Sequence, residues 1–130
     1  MGKLDTFVVE DNILIRAGLI AALEELTPVE VVATANDERS ALKWLAGHRC
    51  DLVLIDIFLK GGSGPGVLTR ARSFNKTAEF IVLSNYATPS VRRRCLDLGA
   101  SKVFDKSSEL DWLIAYCRSA TIQRRRRLLM

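Results

Sequence analysis

A chain of 130 residues, 48% hydrophobic and 26% charged, has room for one domain with a hydrophobic core and too little for two. No apolar run approaches the roughly 20 residues of a membrane span, and Asp5 and Glu10-Asp11 interrupt the start where a signal peptide needs an apolar core, so a cytoplasmic protein is expected. Four of the 19 basic residues are Arg124–Arg127; without them 15 basic side chains stand against 15 acidic ones, so the net charge of +4 belongs to a tail at 124–130, reads as a solvated helix end, and argues against direct nucleic-acid binding.

Taken in order, the chain alternates short apolar runs with helical patterns. Thr6–Val9 reads as a strand, and Asn12 can cap a helix whose inner face is Ile15, Leu19, Ala22, Leu23 and Leu26. Thr27-Pro28 stops it, Val29–Ala33 is a second strand, and Asn36-Asp37-Glu38 opens a helix that Ala41, Leu42 and Leu45 turn inward and Gly47 ends. Asp51–Ile55 is a third strand, followed by a flexible loop at Gly61–Gly66 and a helix with Val67, Leu68 and Ala71 inside. Phe80–Leu83 leads to a helix capped by Thr88 with Pro89 in its first turn, an inner face of Val91, Cys95 and Leu98, and Gly99 at its end. Lys102–Phe104 is a fifth strand, and Ser107 or Ser108 can cap a last helix with the stripe Leu110, Leu113, Ile114 and Cys117.

Five such units predict an α/β fold, a flavodoxin-like doubly wound parallel sheet of five strands in the order 2-1-3-4-5 with five helices. Cys50, Cys95 and Cys117 are widely spaced with no C-x-x-C pair and read as buried, reduced thiols; His48, the only histidine, reads as a surface loop residue.

Four polar elements follow the apolar runs directly: Glu10-Asp11, Asp56, Ser84 and Lys106. Ligands in open parallel sheets gather beyond the carboxyl ends of the strands, and in this order the first and third strands are neighbours, which puts Asp56 beside Glu10-Asp11. Three adjacent carboxylates raise one another's pKa or hold a cation, and hard oxygen donors on loops suit Mg²⁺. An ammonium and a hydroxyl added to that cation suit a phosphoryl group, with an aspartate as the nucleophile.

These residues resemble the receiver domains of two-component response regulators, over Thr6 to about Ile122. The resemblance rests on Glu10-Asp11 after Val8-Val9, Asp56 within Leu52–Leu59, Gly64 eight residues later, Ser84 after Ile81–Leu83, and Lys106 after the stretch from Leu98 to Asp105. It implies a receiver domain at 1–123 in which Asp56 takes a phosphoryl group from a phosphohistidine of a histidine kinase or histidine phosphotransfer protein. It also implies Mg²⁺ held by Asp11, Asp56 and the backbone carbonyl of Phe58, with Glu10 acting through water, and Ser84 and Lys106 contacting the phosphoryl group. Output is expected by protein contact through the face of the fourth helix, fifth strand and fifth helix, toward a downstream protein target or a second copy. That face would carry Arg92, Arg93, Arg94, Lys102 and Arg118. Such a protein is a phosphoacceptor that assists its own phosphorylation and dephosphorylation, not a turnover enzyme.

Three positions depart from the family. Lys60 stands where proline is common, so the loop after Asp56 is expected to be more flexible. Ser107 follows Lys106 at another proline position, where a retained cis peptide would cost roughly 3–4 kcal/mol. Val103 occupies the place of the switching Tyr or Phe, and Phe104, one residue on, faces the other side of the strand. Phe58 and Tyr86, each two residues past a site residue, are expected to shield an acyl phosphate from water.

Gly61–Gly66 lacks the Gly-Lys-Ser/Thr ending of a nucleotide loop. An aspartyl-phosphate phosphatase would want a second aspartate where Phe58 stands. The remaining alternatives are an interaction module of the same fold that is not phosphorylated, and the receiver part of a longer DNA-binding regulator. A single-domain receiver acting by protein contact is the expectation.

Overall fold

Thr27 and Pro28 show how local chemistry divides this chain into elements. The Thr27 hydroxyl donates to the Leu23 carbonyl at 2.6 Å and accepts from the Val29 amide at 3.1 Å, turning the chain directly from a helix into a strand. The computed structural model describes residues 2–75 and 77–129, those from 120 onward by backbone alone. The elements are β1 (Leu4–Val9), α1 (Ile13–Leu26), β2 (Val29–Ala35), α2 (Glu38–Gly47), β3 (Leu52–Asp56), α3 (Gly64–Ala71), β4 (Glu79–Ser84), α4 (Pro89–Asp97), β5 (Lys102–Asp105) and α5 (Leu110–Leu129).

The strands form one parallel sheet in the order β2-β1-β3-β4-β5, as expected. Alternation along each strand divides the core in two. Val53, Ile55, Phe80 and Val82 pack with Ala41 and Leu45 of α2, Val67, Leu68 and Ala71 of α3, and Cys95 of α4. Leu52, Leu54, Ile81 and Leu83 pack on the other face with Leu19 and Leu23 of α1 and Leu113, Ile114 and Cys117 of α5. Each fully buried Leu or Ile stabilises the fold by about 1.5–3 kcal/mol relative to exposure, so a sheet covered on both faces explains strands without polar alternation. Val103 and Phe104 fall into different halves of the core, as the strand period demands.

Caps follow the sequence in most places. Asn12 accepts from the amides of Leu14 and Ile15, Asp37 from Ser40, and Thr88 from Val91, with Pro89 in the first turn of α4. Gly99, at φ +112°, ends α4 in a conformation that side-chain-bearing residues rarely adopt.

Three expectations need correction. The inner stripe of α1 is narrower than its spacing suggests: Leu19 and Leu23 pack into the core with Leu113, Ile114 and Cys117 of α5, whereas Ile15 and Leu26 are exposed. The stretch Gly61–Gly66 is not all loop; Ser63 caps α3 by accepting from the Gly66 amide, and Gly64 already belongs to the helix. The Ser107 hydroxyl donates to the Asp105 carboxylate instead of capping α5. Among the described residues no peptide bond is cis, so Lys106–Ser107 is trans. Arg124–Arg127, and the boundary expected at residue 123, lie outside the described side chains.

Cys50, Cys95 and Cys117 are buried and not disulfide-bonded, and burial raises each thiol's pKa, to about 12 for Cys50 and Cys117. No described helix is long and apolar enough to cross a membrane.

Candidate functional site

The site grows out of strand register. Val9 pairs with Ile55 and Asp56 with Leu83, so Glu10, Asp56 and Ser84 emerge side by side at the carboxyl ends of β1, β3 and β4. Ser84 pairs with Asp105, and the Lys106 amide donates to the Ser84 carbonyl at 2.8 Å, which brings Lys106 to the same edge. Glu10, Asp11 and Asp56 each offer a carboxylate oxygen, all within 4.8 Å of one another. The adjacency expected for the three acids is therefore present.

Each carboxylate is held by a different part of the chain. Glu10 Oε2 accepts from the Asn12 amide at 3.2 Å, Asp11 Oδ2 from the Lys60 amide at 2.7 Å, and Asp56 Oδ1 from the Phe58 amide at 3.4 Å. The Lys106 ammonium donates to Glu10 Oε1 and lies 3.2 Å from Asp56 Oδ2. Only 11% of its side chain is exposed, so the ammonium is shared between the two carboxylates with little access to water. Burial pushes the Asp56 carboxyl up to about 6; Lys106 opposes the shift and the Glu10 charge adds to it. Three carboxylates with one ammonium among them leave negative charge in a half-closed site, and hard oxygen donors in that arrangement fit a divalent cation such as Mg²⁺.

Ser84 is fully buried, and its hydroxyl accepts from the Tyr86 amide at 3.1 Å. Phe58 and Tyr86 begin at the site through their backbones but point outward, 69% and 74% exposed. The loop after Asp56 is not loosened by Lys60. Besides the bond to Asp11, Phe58 and Ser63 form an antiparallel bridge, and the Gly64 amide donates to the Ile57 carbonyl at 3.2 Å. A Cβ on Gly64 would lie 2.3 Å from the Asp56 carbonyl oxygen, so only glycine permits this closure.

Several contributing residues were not singled out from sequence as parts of the site. Arg16 donates to the Glu10 carbonyl at 3.1 Å and to Asn36, anchoring the β1–α1 turn. Asp105 accepts from the Ser107 hydroxyl and from the amides of Ser107 and Ala87, and these bonds lower its pKa to about 2. Arg92, expected on the outer face of α4, turns inward. Its Nε donates to the Ala87 carbonyl at 2.8 Å, Nη1 to the Val103 carbonyl at 2.9 Å and Nη2 to Glu109 at 2.7 Å, while Glu109 also accepts from the Asp105 amide. One guanidinium therefore joins the β4–α4 loop, β5 and the start of α5 beside Val103. Lys106 directly following Asp105 was the one available sequence signal; a fork reaching three segments leaves none.

Truncating Arg92 removes three bonds from a charged donor at a half-buried position. We expect Arg92→Ala to lose about 2 kcal/mol in urea unfolding and to speed amide exchange in the loop around Ala87 first.

The family is now defined by more than resemblance. The response regulator receiver domain model matches residues 6–118, and the chain belongs to that family. It is 29% identical over 106 residues to the "Probable transcriptional regulatory protein NarL" of Mycobacterium tuberculosis, an alignment covering 82% of this chain and 49% of that protein. It is 28% identical over 108 residues to the transcriptional regulatory protein MalR of Bacillus subtilis, covering 83% and 46%. Among solved structures, the signal receiver domain of NarL from M. tuberculosis superposes with a TM-score of 0.81 at 26% identity, over 92% of this chain and 96% of that one. The chain spans about half the length of the curated relatives it matches.

Proposed function

We propose that this receiver domain accepts a phosphoryl group on Asp56 from a phosphohistidine of a histidine kinase or phosphotransfer protein, in a Mg²⁺-dependent reaction in the cytoplasm. The carrying observation is the Lys106 ammonium set between Glu10 and Asp56 in a cluster of three carboxylates. An Asp56 carboxylate oxygen attacks phosphorus, the P–N bond of the phosphohistidine breaks, and the imidazole leaves with the electron pair. Asp11, Asp56 and the Phe58 carbonyl would hold Mg²⁺, with Glu10 acting through water; when bound, the ion neutralises charge on the transferring group. Lys106 exchanges its carboxylate partner for a phosphoryl oxygen, and the Ser84 hydroxyl donates a hydrogen bond to another. Positioning and charge neutralisation suffice for phosphoryl transfer, which fits a site without histidine or cysteine. The protein carries the group without turning over a substrate of its own.

Output runs through α4, β5 and α5 to a downstream protein or a second copy. Val103 cannot act as an aromatic relay, whereas the Arg92 fork touches the loop that follows Ser84 and the strand that precedes Lys106. Arg93, Arg94 and Lys102 stay exposed for a partner, while Arg118, also exposed, donates through Nε to the Leu26 carbonyl at 2.9 Å.

Incubation with acetyl phosphate and Mg²⁺, followed by intact-mass analysis, tests the reading. Wild type should gain one phosphoryl mass and Asp56→Asn none. An unmodified wild type would favour the interaction module. With Phe58 and Tyr86 exposed, any shielding depends on the rings folding back over the acyl phosphate. Phe58→Asn and Tyr86→Ala are then expected to shorten its lifetime severalfold in a dephosphorylation time course. Unchanged decay in both would remove the shielding role.

A further inference from the structure

We infer that Glu38, on the first turn of α2, is a positioning residue for the metal site, acting through the loop between β3 and α3; this rests on the reading of Asp56 as a Mg²⁺-assisted phosphoacceptor. Glu38 touches none of the three acids. Its Oε1 accepts from the Ser63 amide at 2.9 Å, and its own amide donates to the Gly61 carbonyl at 2.9 Å, so it grips the loop by two backbone groups. Ser63 is the bridge partner of Phe58, whose carbonyl is the proposed metal ligand. One residue therefore separates the Glu38 carboxylate from that ligand.

The loop is shaped around this carboxylate. A Cβ on Gly62 would lie 2.4 Å from Glu38 Cβ, and one on Gly66 would lie 2.4 Å from Oε1 and 2.7 Å from Oε2. Two glycines thus leave the space that Glu38 fills, and Gly62 adopts φ +84°, which glycine tolerates best. The carboxylate also sits at the N-terminus of α3, where negative charge is favoured. Arg70 lies 3.6 Å away but is 70% exposed, so it adds little. Groups that orient metal ligands typically change affinity by about 10–100-fold when removed.

Mg²⁺ titration by calorimetry, with amide exchange at Ser63 as a metal-free readout, tests the inference. Glu38→Ala should weaken Mg²⁺ about tenfold and speed Ser63 exchange, while Glu38→Gln, which keeps the acceptor, should stay near wild type. Gly66→Ala displaces the carboxylate without removing it and favours the helix, so it covers the case in which Glu38→Ala fails to fold. It should weaken Mg²⁺ similarly, and the double variant should lose no more than either single one. Wild-type Mg²⁺ affinity in folded Glu38→Ala or in Gly66→Ala, or additive losses in the double variant, would overturn the inference alone. A wild type that bound no Mg²⁺ would overturn the functional reading and this inference with it.

Discussion

Asp56→Asn is expected to make the metal-free protein more stable at pH 7 by about 2–3 kcal/mol, while abolishing phosphoryl uptake. The reason is that the folded state holds the Asp56 carboxyl at about 6 against an ordinary 3.8, because burial and the Glu10 charge outweigh Lys106. A carboxyl raised on folding keeps its proton in the native state while the unfolded chain has released it. Stability contributed by that proton is present at low pH and is lost as pH rises from about 4 through about 6. Asparagine retains an acceptor for the Phe58 amide and carries no charge, so it avoids the loss. Urea unfolding in a chelating buffer should therefore show the two proteins nearly equal at pH 4 and Asp56→Asn ahead at pH 7. Saturating Mg²⁺ should narrow the gap, since wild type gains more binding free energy than a variant lacking one carboxylate. Equal stabilities at pH 7 would mean that Asp56 is not strained by its neighbours.

Lys106→Met should act in the opposite direction. The ammonium is 11% exposed and contacts Glu10, itself 3% exposed, and Asp56. Methionine fills most of the same volume but leaves two buried carboxylates without their cation. Removing one partner of a buried pair costs about 3–5 kcal/mol; proton uptake by one of the acids limits the loss here to about 3 kcal/mol. The variant should accordingly recover stability as pH falls toward 5, and Asp56 should titrate above its wild-type position because the main group lowering its pKa has gone, leaving only the Phe58 amide to oppose burial. Combining Lys106→Met with Asp56→Asn should restore part of the stability, since the two substitutions act on one contact. A double variant that simply added the two single effects would deny that coupling.

These opposed effects belong to a site whose tension is useful. A cluster that is over-negative when empty has free energy to gain from a cation and from an ammonium able to change partners. Neither property comes from Asp56 alone. It depends on Glu10 being buried beside it, on the Lys60 amide holding Asp11, and on a loop tight enough that Gly64 meets the Asp56 backbone.

Much of this was legible in the amino-acid order because its signals are local. An apolar run long enough for a buried strand, followed at once by Glu10-Asp11, Asp56, Ser84 or Lys106, states both the strand and the fact that its carboxyl end is polar. Asn12, Asp37, Thr88 and Pro89 mark helix starts because a cap acts within three residues of itself. Strand period alone separated Val103 from Phe104. Only the tertiary structure decided what lies many residues apart. It set the Lys106 ammonium against Glu10, 96 residues away, and it turned Arg92 inward to Val103 and Glu109. It also placed Glu38 under the loop of Ser63, and left the Ile15 and Leu26 side chains exposed. The physical reason is that a parallel sheet joins segments only through crossovers, so its register and its helix packing are settled by the whole core at once. A long side chain such as arginine, glutamate or lysine shows its partner only after that packing has formed.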